Sequence, residues 1–299
     1  MSIRVSTTQI ADNSIAGIDA AYSRFAAAQQ RVNTGKQLQK PSDNPAGLAQ
    51  SLDFTEQVAE IDQFGKTLDQ ARGFIATSES ALGSVNSLLR QARSYAIQGA
   101  SDNTSDEAKQ AIAGQIQDII TQLGKIANTS FGSRYVFGGQ RTTAPPLAAS
   151  GNSFTYAGGT SATGDGDLNL DIGRGETLKI NVTADQVFTP AITALAKLRD
   201  NVANGKDLDI SQQDIAAIDA QINTVVDVRA DFGSKINRID ADKQRNDLTK
   251  VNFTGFISDI QDTDLPKAVV ELQTAQTAYQ AALQSTVRAF QTSLLDFLK

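Results

Sequence analysis

The chain of 299 residues has no His, no Cys and no Trp, and its one Met is the first residue. Without Cys there is no disulfide, no thiol nucleophile and no thiolate zinc or iron–sulfur site. Without His there is no Ser–His–Asp triad, no imidazole base and no histidine-ligated metal. Catalysis would fall to carboxylates, Lys, Tyr or a Ser–Lys pair, and none of these forms a recognisable motif. The expectation is a protein that is not an enzyme and has no cofactor and no metal. Cations are also in short supply: 27 Lys and Arg against 33 Asp and Glu leave a net charge of −6. Without a basic block to neutralise phosphates, no nucleic-acid partner is expected. No apolar run approaches the roughly 20 residues that cross a bilayer, so no membrane partner is expected either. Residues 1–12 are polar and lack the apolar stretch of a cleavable signal peptide. The hydrophobic content of 40% nevertheless suits a folded chain.

What is present is heptad spacing. Ile61, Phe64, Leu68, Ala71, Ile75, Ser78, Leu82, Val85, Leu89, Ala92 and Ala96 follow one another in alternating steps of three and four, and only Ser78 is polar. A period of 3.5 residues is the seam of a coiled coil or long bundle helix. Gly65, Gly73 and Gly83 lie off the seam, each costing about 1 kcal/mol of helix propensity. The helix is expected to stop at Gly99. Thr104-Ser-Asp-Glu107 reads as the capping box of the next one, which carries Ile112, Ile116, Ile119, Leu123 and Ile126. The short loop predicts an antiparallel hairpin. Further on, Ser211 is read as the cap of a long helix striped by Ile215, Ile218, Ile222, Val225, Arg229, Phe232, Ile236 and Ile239. Arg229 is its one polar position, read as a solvated arginine at the stripe edge in preference to a paired one. Both ends are striped too: Ile15, Ile18, Tyr22, Phe25, Gln29 and Val32, then Leu272, Gln276, Tyr279, Leu283, Val287, Phe290, Leu294 and Phe297. These stripes are narrow and set among Ala, Gln, Ser and Thr, so each helix needs a partner. The partner is the other end, a neighbouring copy, or both.

Between the helical stretches, residues 138–190 hold nine Gly and three Pro. Phe154-Thr-Tyr156, Leu168-Asn-Leu170-Asp-Ile172 and Leu178-Lys-Ile180-Asn-Val182 alternate apolar with polar, as half-buried strands do. Helix is expected to resume at Thr189-Pro190, an N-cap followed by proline. Asp165, Asp167, Asn169, Asp171 and Glu176 have the offsets of a calcium loop. Leu170 stands where that loop needs Gly, so a strand with a wet acidic face is the stronger reading. Gly158-Gly159 and Gly164-Asp-Gly166 are turn glycines without the strand–glycine–helix setting of a phosphate cradle. The fold expected is mainly α with a small β insertion. It is a long, antiparallel, coiled-coil-like helical bundle whose N- and C-terminal segments pair in the same layers. Residues 1–40 with 264–299 form an inner terminal layer, 41–139 with 190–263 a helical rod, and 140–189 a β-rich outer domain.

Several of these residues carry a resemblance. Thr34-Gly-Lys36 followed by Pro41-Ser-Asp-Asn-Pro-Ala-Gly-Leu-Ala49 resembles the N-terminal segment of the bacterial flagellin superfamily. Ser258-Asp-Ile-Gln-Asp262-Thr-Asp264 resembles the entry to its terminal helix. The opening Ile3-Arg-Val-Ser-Thr7, the segment Tyr135-Val-Phe-Gly-Gly139 with Thr142-Thr143 and Pro145-Pro146, and the ending Ser293-Leu-Leu-Asp-Phe-Leu298 are more similar to the superfamily's junction proteins than to filament flagellins. Asn44 departs from the more usual Asp, but caps Pro45 as well.

The resemblance implies a flagellin-like fold and a structural role at the junction between hook and filament. It implies export without a cleaved signal through a type III channel and a place on the extracellular flagellum. The implied partners are further copies in a homo-oligomeric ring, the first hook-associated junction protein, the flagellin filament and a cytosolic export chaperone. Ile15, Ile18, Tyr22, Phe25 and Val32 would form the N-terminal part of the assembly interface. Leu272, Tyr279, Leu283, Val287, Phe290, Leu294 and Phe297 would form the C-terminal part and the chaperone site. Pro41, Ser42, Asp43, Asn44 and Pro45 would be a hinge between the inner and outer layers, although an ordinary interhelical loop fits them nearly as well. The alternative within the family is flagellin itself. A carboxylate enzyme housed in the insertion has no paired-acid motif to support it, and a cytosolic coiled-coil scaffold leaves the end motifs unexplained.

Overall fold

A computed structural model describes residues 7–101, 104–151, 153–160 and 163–297, with side chains in these stretches from Asp12 through Arg288. Among the described residues, seven α-helices and three hairpins follow in order: α1 (Thr7–Thr34), α2 (Pro45–Gly99), α3 (Asp106–Ala127), β1 (Ser130–Phe131), β2 (Arg134–Tyr135), β3 (Leu147–Ser150), β4 (Ser153–Tyr156), β5 (Asn169–Gly173), β6 (Glu176–Lys179), α4 (Ala184–Ala203), α5 (Asp207–Asp209), α6 (Ile215–Gln261) and α7 (Leu265–Phe297). Each strand pairs antiparallel with its neighbour in sequence, giving three separate two-stranded ribbons. The chain divides into two compact units, Met1–Ala59 with Thr249–Lys299 and Glu60–Leu248.

The larger unit is built on the α2 seam. Leu68, Ala71, Ile75, Ser78, Leu82, Val85, Leu89, Ala92 and Ala96 are all fully buried, while Ile61 and Phe64 at its start are half-buried. The hydroxyl of Ser78 donates to the Phe74 carbonyl at 2.9 Å, so the one polar seam residue is satisfied within its own helix. Facing α2 lies α6, whose Ile218, Ile222, Val225, Phe232 and Ile239 are buried. The two run antiparallel, as ion pairs along their flanks show: Arg72 with Asp240 at 3.0 Å, Arg93 with Asp219 at 2.6 Å, and Asp69 with Lys243. Arg229 is paired, against expectation. Its guanidinium donates two bonds to Glu79 on α2, at 2.6 and 2.9 Å, in a half-buried setting. Packing between the helices already half-covers both side chains, so the Glu79 carboxylate on the facing helix is within reach of the guanidinium and a charge-assisted pair forms.

Helix α3 returns along α2. Its start is tied to the α2 end by the Thr104 hydroxyl, which donates to the Gln98 carbonyl at 2.9 Å. Just past its end, the ring of Phe131 meets Phe74 edge-on at 6.3 Å. A Cβ on Gly73 would stand 2.8 Å from that ring, so this seam-edge glycine makes room for it. Because Thr104 is engaged with Gln98, the cap falls one residue later than read. Ser105 accepts from the Ala108 amide at 3.3 Å. Helix α4 lies antiparallel on α3, with Gln110 donating to the Ala203 carbonyl and Arg199 reaching Gln117.

Two further expectations are corrected. Helix α4 starts at Ala184, not at Pro190, which sits inside it. The turn before the proline is held by packing: Val187 and Phe188 are buried, and the Phe188 ring is 4.8 Å from Phe137. Ala184 also donates its amide to the Phe137 carbonyl at 2.9 Å. This core contact outweighs the loss of one intrahelical donor at Pro190. Ser211 is not a cap either. The helical run begins with α5 and passes through a π-turn, Ile210–Asp214, before α6. The wider turn brings both Ile210 and Asp214 inward, where Asn201 donates to the Asp214 carboxylate at 2.7 Å.

The β-rich insertion rests on this bundle. Ile172, Leu178, Ile180 and Leu147 join its core, and Phe154 lies so close to Gly124 of α3 that a Cβ there would stand 2.2 Å from the ring. The tip of the β5–β6 hairpin straps two helices. Arg174 donates a forked pair of bonds to Glu60 of α2, and Glu176 accepts from Arg238 of α6. Its partner Arg174 holds the Glu60 carboxyl below the usual range. Strand β3, Leu147-Ala-Ala-Ser150, lacks the apolar–polar alternation that marks a strand in sequence.

Candidate functional site

In the smaller unit, α1 and α7 lie antiparallel along one another. The ring of Tyr279 meets Tyr22 at 5.7 Å and stacks on Phe25 at 6.1 Å with 9° between their planes. Arg31 donates to Glu271 at 3.2 Å, a half-exposed pair. So the two terminal stripes find each other. They do not bury each other. Among the described residues only Ala28 is buried on α1 and only Ala268 on α7. Ile18, Phe25, Val32, Leu272 and Tyr279 are half-buried. Ile15 is 52% exposed, Tyr22 55%, Leu283 38% and Val287 56%. Two helices share a single line of contact, so stripe residues that flank this line stay wet on their outer side. The side chains of Phe290, Leu294 and Phe297 lie outside the described residues.

Three apolar residues at the base of α7 were missed in the sequence. Leu265, Val269 and Val270 are 51%, 42% and 62% exposed. Leu265 and Val269 continue the stripe upstream of Leu272 with steps of four and three. That spacing is legible in the sequence, although Pro266 and the acidic Asp262 and Asp264 beside it carry the signature of a helix start.

The connectors at the base are ordered by local hydrogen bonds. The Asp43 carboxylate accepts from the amides of Gln39 at 3.2 Å and Lys40 at 3.0 Å. Those two amides, with a smaller contribution from the Lys40 charge, hold its pKa below the usual carboxylate range. Asn44 caps α2 by accepting from the Gly47 amide at 2.9 Å, with Pro45 at the first helical position. Pro41, Ser42, Asp43, Asn44 and Pro45 are all exposed. Asp264 accepts from the Lys267 amide at 3.2 Å and so caps α7. The two connectors line a polar cavity of about 410 Å³ in which Arg31 and Lys267 face Asp43, Asp264 and Glu271. Charges of both signs nearly cancel there, which suits water better than a charged ligand.

The acidic run in the insertion does not converge on a point. Asp165 accepts from Arg141 at 2.7 Å and from the Thr160 amide at 3.0 Å, and its pKa is held low chiefly by the Thr163 hydroxyl. Asp167 faces Lys179 at 2.6 Å, and Glu176 faces Arg238. Asn169 and Asp171 are exposed strand residues. Among the described residues, no group of three or more acids is placed to hold a metal ion. Nor, among them, is any helix long and apolar enough to cross a membrane.

Comparison with known proteins matches both ends of the chain to one family. The bacterial flagellin N-terminal helical region matches residues 5–142, and the bacterial flagellin C-terminal helical region matches residues 215–298. The chain is 24% identical to flagellar hook-associated protein 3 of Escherichia coli, over 95% of this chain and 96% of that one. It is also 24% identical to flagellin of Bacillus subtilis, over 88% of each. The fold is similar to the crystal structure of the flagellar junction protein of Legionella pneumophila, with a TM-score of 0.60 and 13% identity over 71% of this chain and all of that one. The chain therefore belongs to the bacterial flagellin family, and it matches hook-associated protein 3 of that family almost from end to end.

Proposed function

We propose that this chain is a structural adaptor of the bacterial flagellum, seated at the junction between hook and filament. Its copies would assemble side by side as a ring by covering the apolar residues that α1 and α7 leave exposed. The observation that carries this reading is the incomplete burial of the terminal pair. Ile15, Tyr22, Leu283 and Val287 are between 38% and 56% exposed on helices that already have each other as partners. Burying a large apolar side chain fully contributes about 1.5–3 kcal/mol, so several such residues per copy give an assembly a driving force that the free subunit cannot use. The neighbours would be the first hook-associated junction protein on one side and the flagellin filament on the other. The likeness to hook-associated protein 3 over 95% of the chain, against 88% for flagellin, supports the junction place over the filament shaft.

Export through the flagellar type III channel, with a cytosolic chaperone on α7 beforehand, fits a chain free of Cys that no disulfide could lock before passage. The hinge at residues 41–45 would join an inner layer, residues 1–40 with 264–299, to the helical rod. The test is electron microscopy of a strain that lacks this chain. Hooks without filaments, with flagellin lost to the medium and filaments restored by the intact gene, are the expected result. Normal filaments on such cells, or copy numbers at the level of a filament subunit, would overturn the junction reading.

A further inference from the structure

We propose that the crossing of the two connectors, residues 35–37 over residues 260–263, is a clasp that sets the register of α1 against α7. No covalent link does so: the clasp joins Lys36 to Gln261, 225 positions apart. The seam does not do so either. Stripe residues recur on both helices at heptad spacing, and a slip of seven residues would set Ile15 and Ile18, or Gln29 and Val32, against Tyr279 in place of Tyr22 and Phe25. The Arg31–Glu271 pair is half-exposed and contributes little to the choice.

The clasp supplies what the seam lacks. Gly35 ends α1 in the left-handed region, at φ 68°, and turns the chain towards α7. Its carbonyl accepts from the Thr263 amide at 2.8 Å, and the Gln37 amide donates to the Gln261 carbonyl at 2.8 Å. These two bonds flank an antiparallel bridge between Lys36 and Asp262. Side chains tighten it. Gln37 Nε2 donates to the Ile260 carbonyl at 3.1 Å, and Lys36 Nζ donates to Gln261 Oε1 at 3.0 Å. The other end of that amide, Gln261 Nε2, donates to Ser51 Oγ at 2.8 Å, and Ser51 is fully buried. The Gln261 side chain thus fastens both connectors to the head of α2. A one-residue shift would break the four bonds between residues 35–37 and 260–263 at once, whereas the seam tolerates a heptad shift. The pattern of apolar residues shown to a neighbouring copy would follow from that register; this last consequence alone rests on the assembly reading above.

Because the chain has no Cys, introduced cysteines report register without background. In the full-length chain, Tyr22→Cys with Tyr279→Cys tests the observed register. Ile15→Cys with Tyr279→Cys, and Gln29→Cys with Tyr279→Cys, test slips of one heptad either way. Each pair is made in the intact clasp and in a chain carrying Gln37→Pro and Gln261→Ala. With the clasp intact, only the 22–279 disulfide is expected on mild oxidation. With it broken, the slipped disulfides should rise roughly tenfold, the change expected when the preference falls by one to two net hydrogen bonds. Helix content by circular dichroism should stay unchanged. A broken clasp that still yields only the 22–279 disulfide overturns the proposal. So does a loss of helix content in the broken chain, since melted ends have no register to slip. These readouts concern the free chain and hold whatever its place in the flagellum.

Discussion

Gly114 and Gly124 share α3 but not their surroundings. A Cβ at Gly114 meets nothing within 4 Å, whereas one at Gly124 would stand 2.2 Å from the Phe154 ring. Gly114→Ala should therefore stabilise the chain by up to about 1 kcal/mol through helix propensity. Gly124→Ala should cost about 1–3 kcal/mol through overpacking. Urea denaturation of the two variants checks the difference in sign. Titration separates other residues. Asp43, Glu60 and Asp165 all have folded pKa values below the carboxylate norm. Their contribution is present above the unfolded value, near pH 4, and is lost as pH falls through the folded value. Hydrogen exchange should show the residue 39–47 connector and the β5–β6 hairpin loosening as acid is added, ahead of the α2 core. Tyr156 shifts the other way. Burial, and then the charge of Asp185, push its hydroxyl up to about 12. Its stabilising share is complete below the ordinary tyrosine value, near 10, and is lost as pH rises from there towards 12. Tyr156→Phe should show a smaller alkaline loss of stability than the parent chain. The environments of Glu60 and Tyr156 are not legible in the sequence, because each depends on a group brought near by a different element, whereas Asp43 and Asp165 are held mainly by groups of their own loops.

At the scale of elements, the seam of α2 was readable almost residue by residue. A helix buried along one line must repeat its apolar residues at the period of that line. Leu82→Ala, at a fully buried seam position, should cost about 2–5 kcal/mol. Glu79→Gln, which weakens the half-exposed pair with Arg229, should cost no more than about 1 kcal/mol. Thermal unfolding of both variants tests that packing outweighs charge here. Helix starts were less readable. Thr104, Thr189 and Ser211 all looked like caps, and each was displaced by a contact from another part of the chain. Thr104 is drawn to the end of α2, the turn before Pro190 is held by Phe137, and the region around Ser211 is wound into a π-turn that buries Ile210 and Asp214. A cap motif specifies a local preference of about 1 kcal/mol, and a buried aromatic contact exceeds it.

At the scale of the whole molecule, the exposed stripe residues make a separable prediction. Tyr22→Ser with Val287→Ser should leave the unfolding of residues 60–248 unchanged, because that unit has its own core. The same variant should fail to restore filaments to the deletion strain. Wild-type motility with both substitutions would count against assembly through this pair. The sequence by itself determined that the chain is helical, where its seams lie, that its ends are apolar on narrow stripes, and which chemistries it lacks. Those properties follow from residue type and period alone. Only the tertiary structure decided which stripe meets which, that Arg229 is paired, that the β5–β6 hairpin straps two helices, and that the two connectors cross at Lys36 and Asp262. A heptad pattern states that a face must be covered, and many partners and registers satisfy it equally. The choice among them is made by hydrogen bonds and close approaches between residues far apart in the chain, which no local pattern encodes.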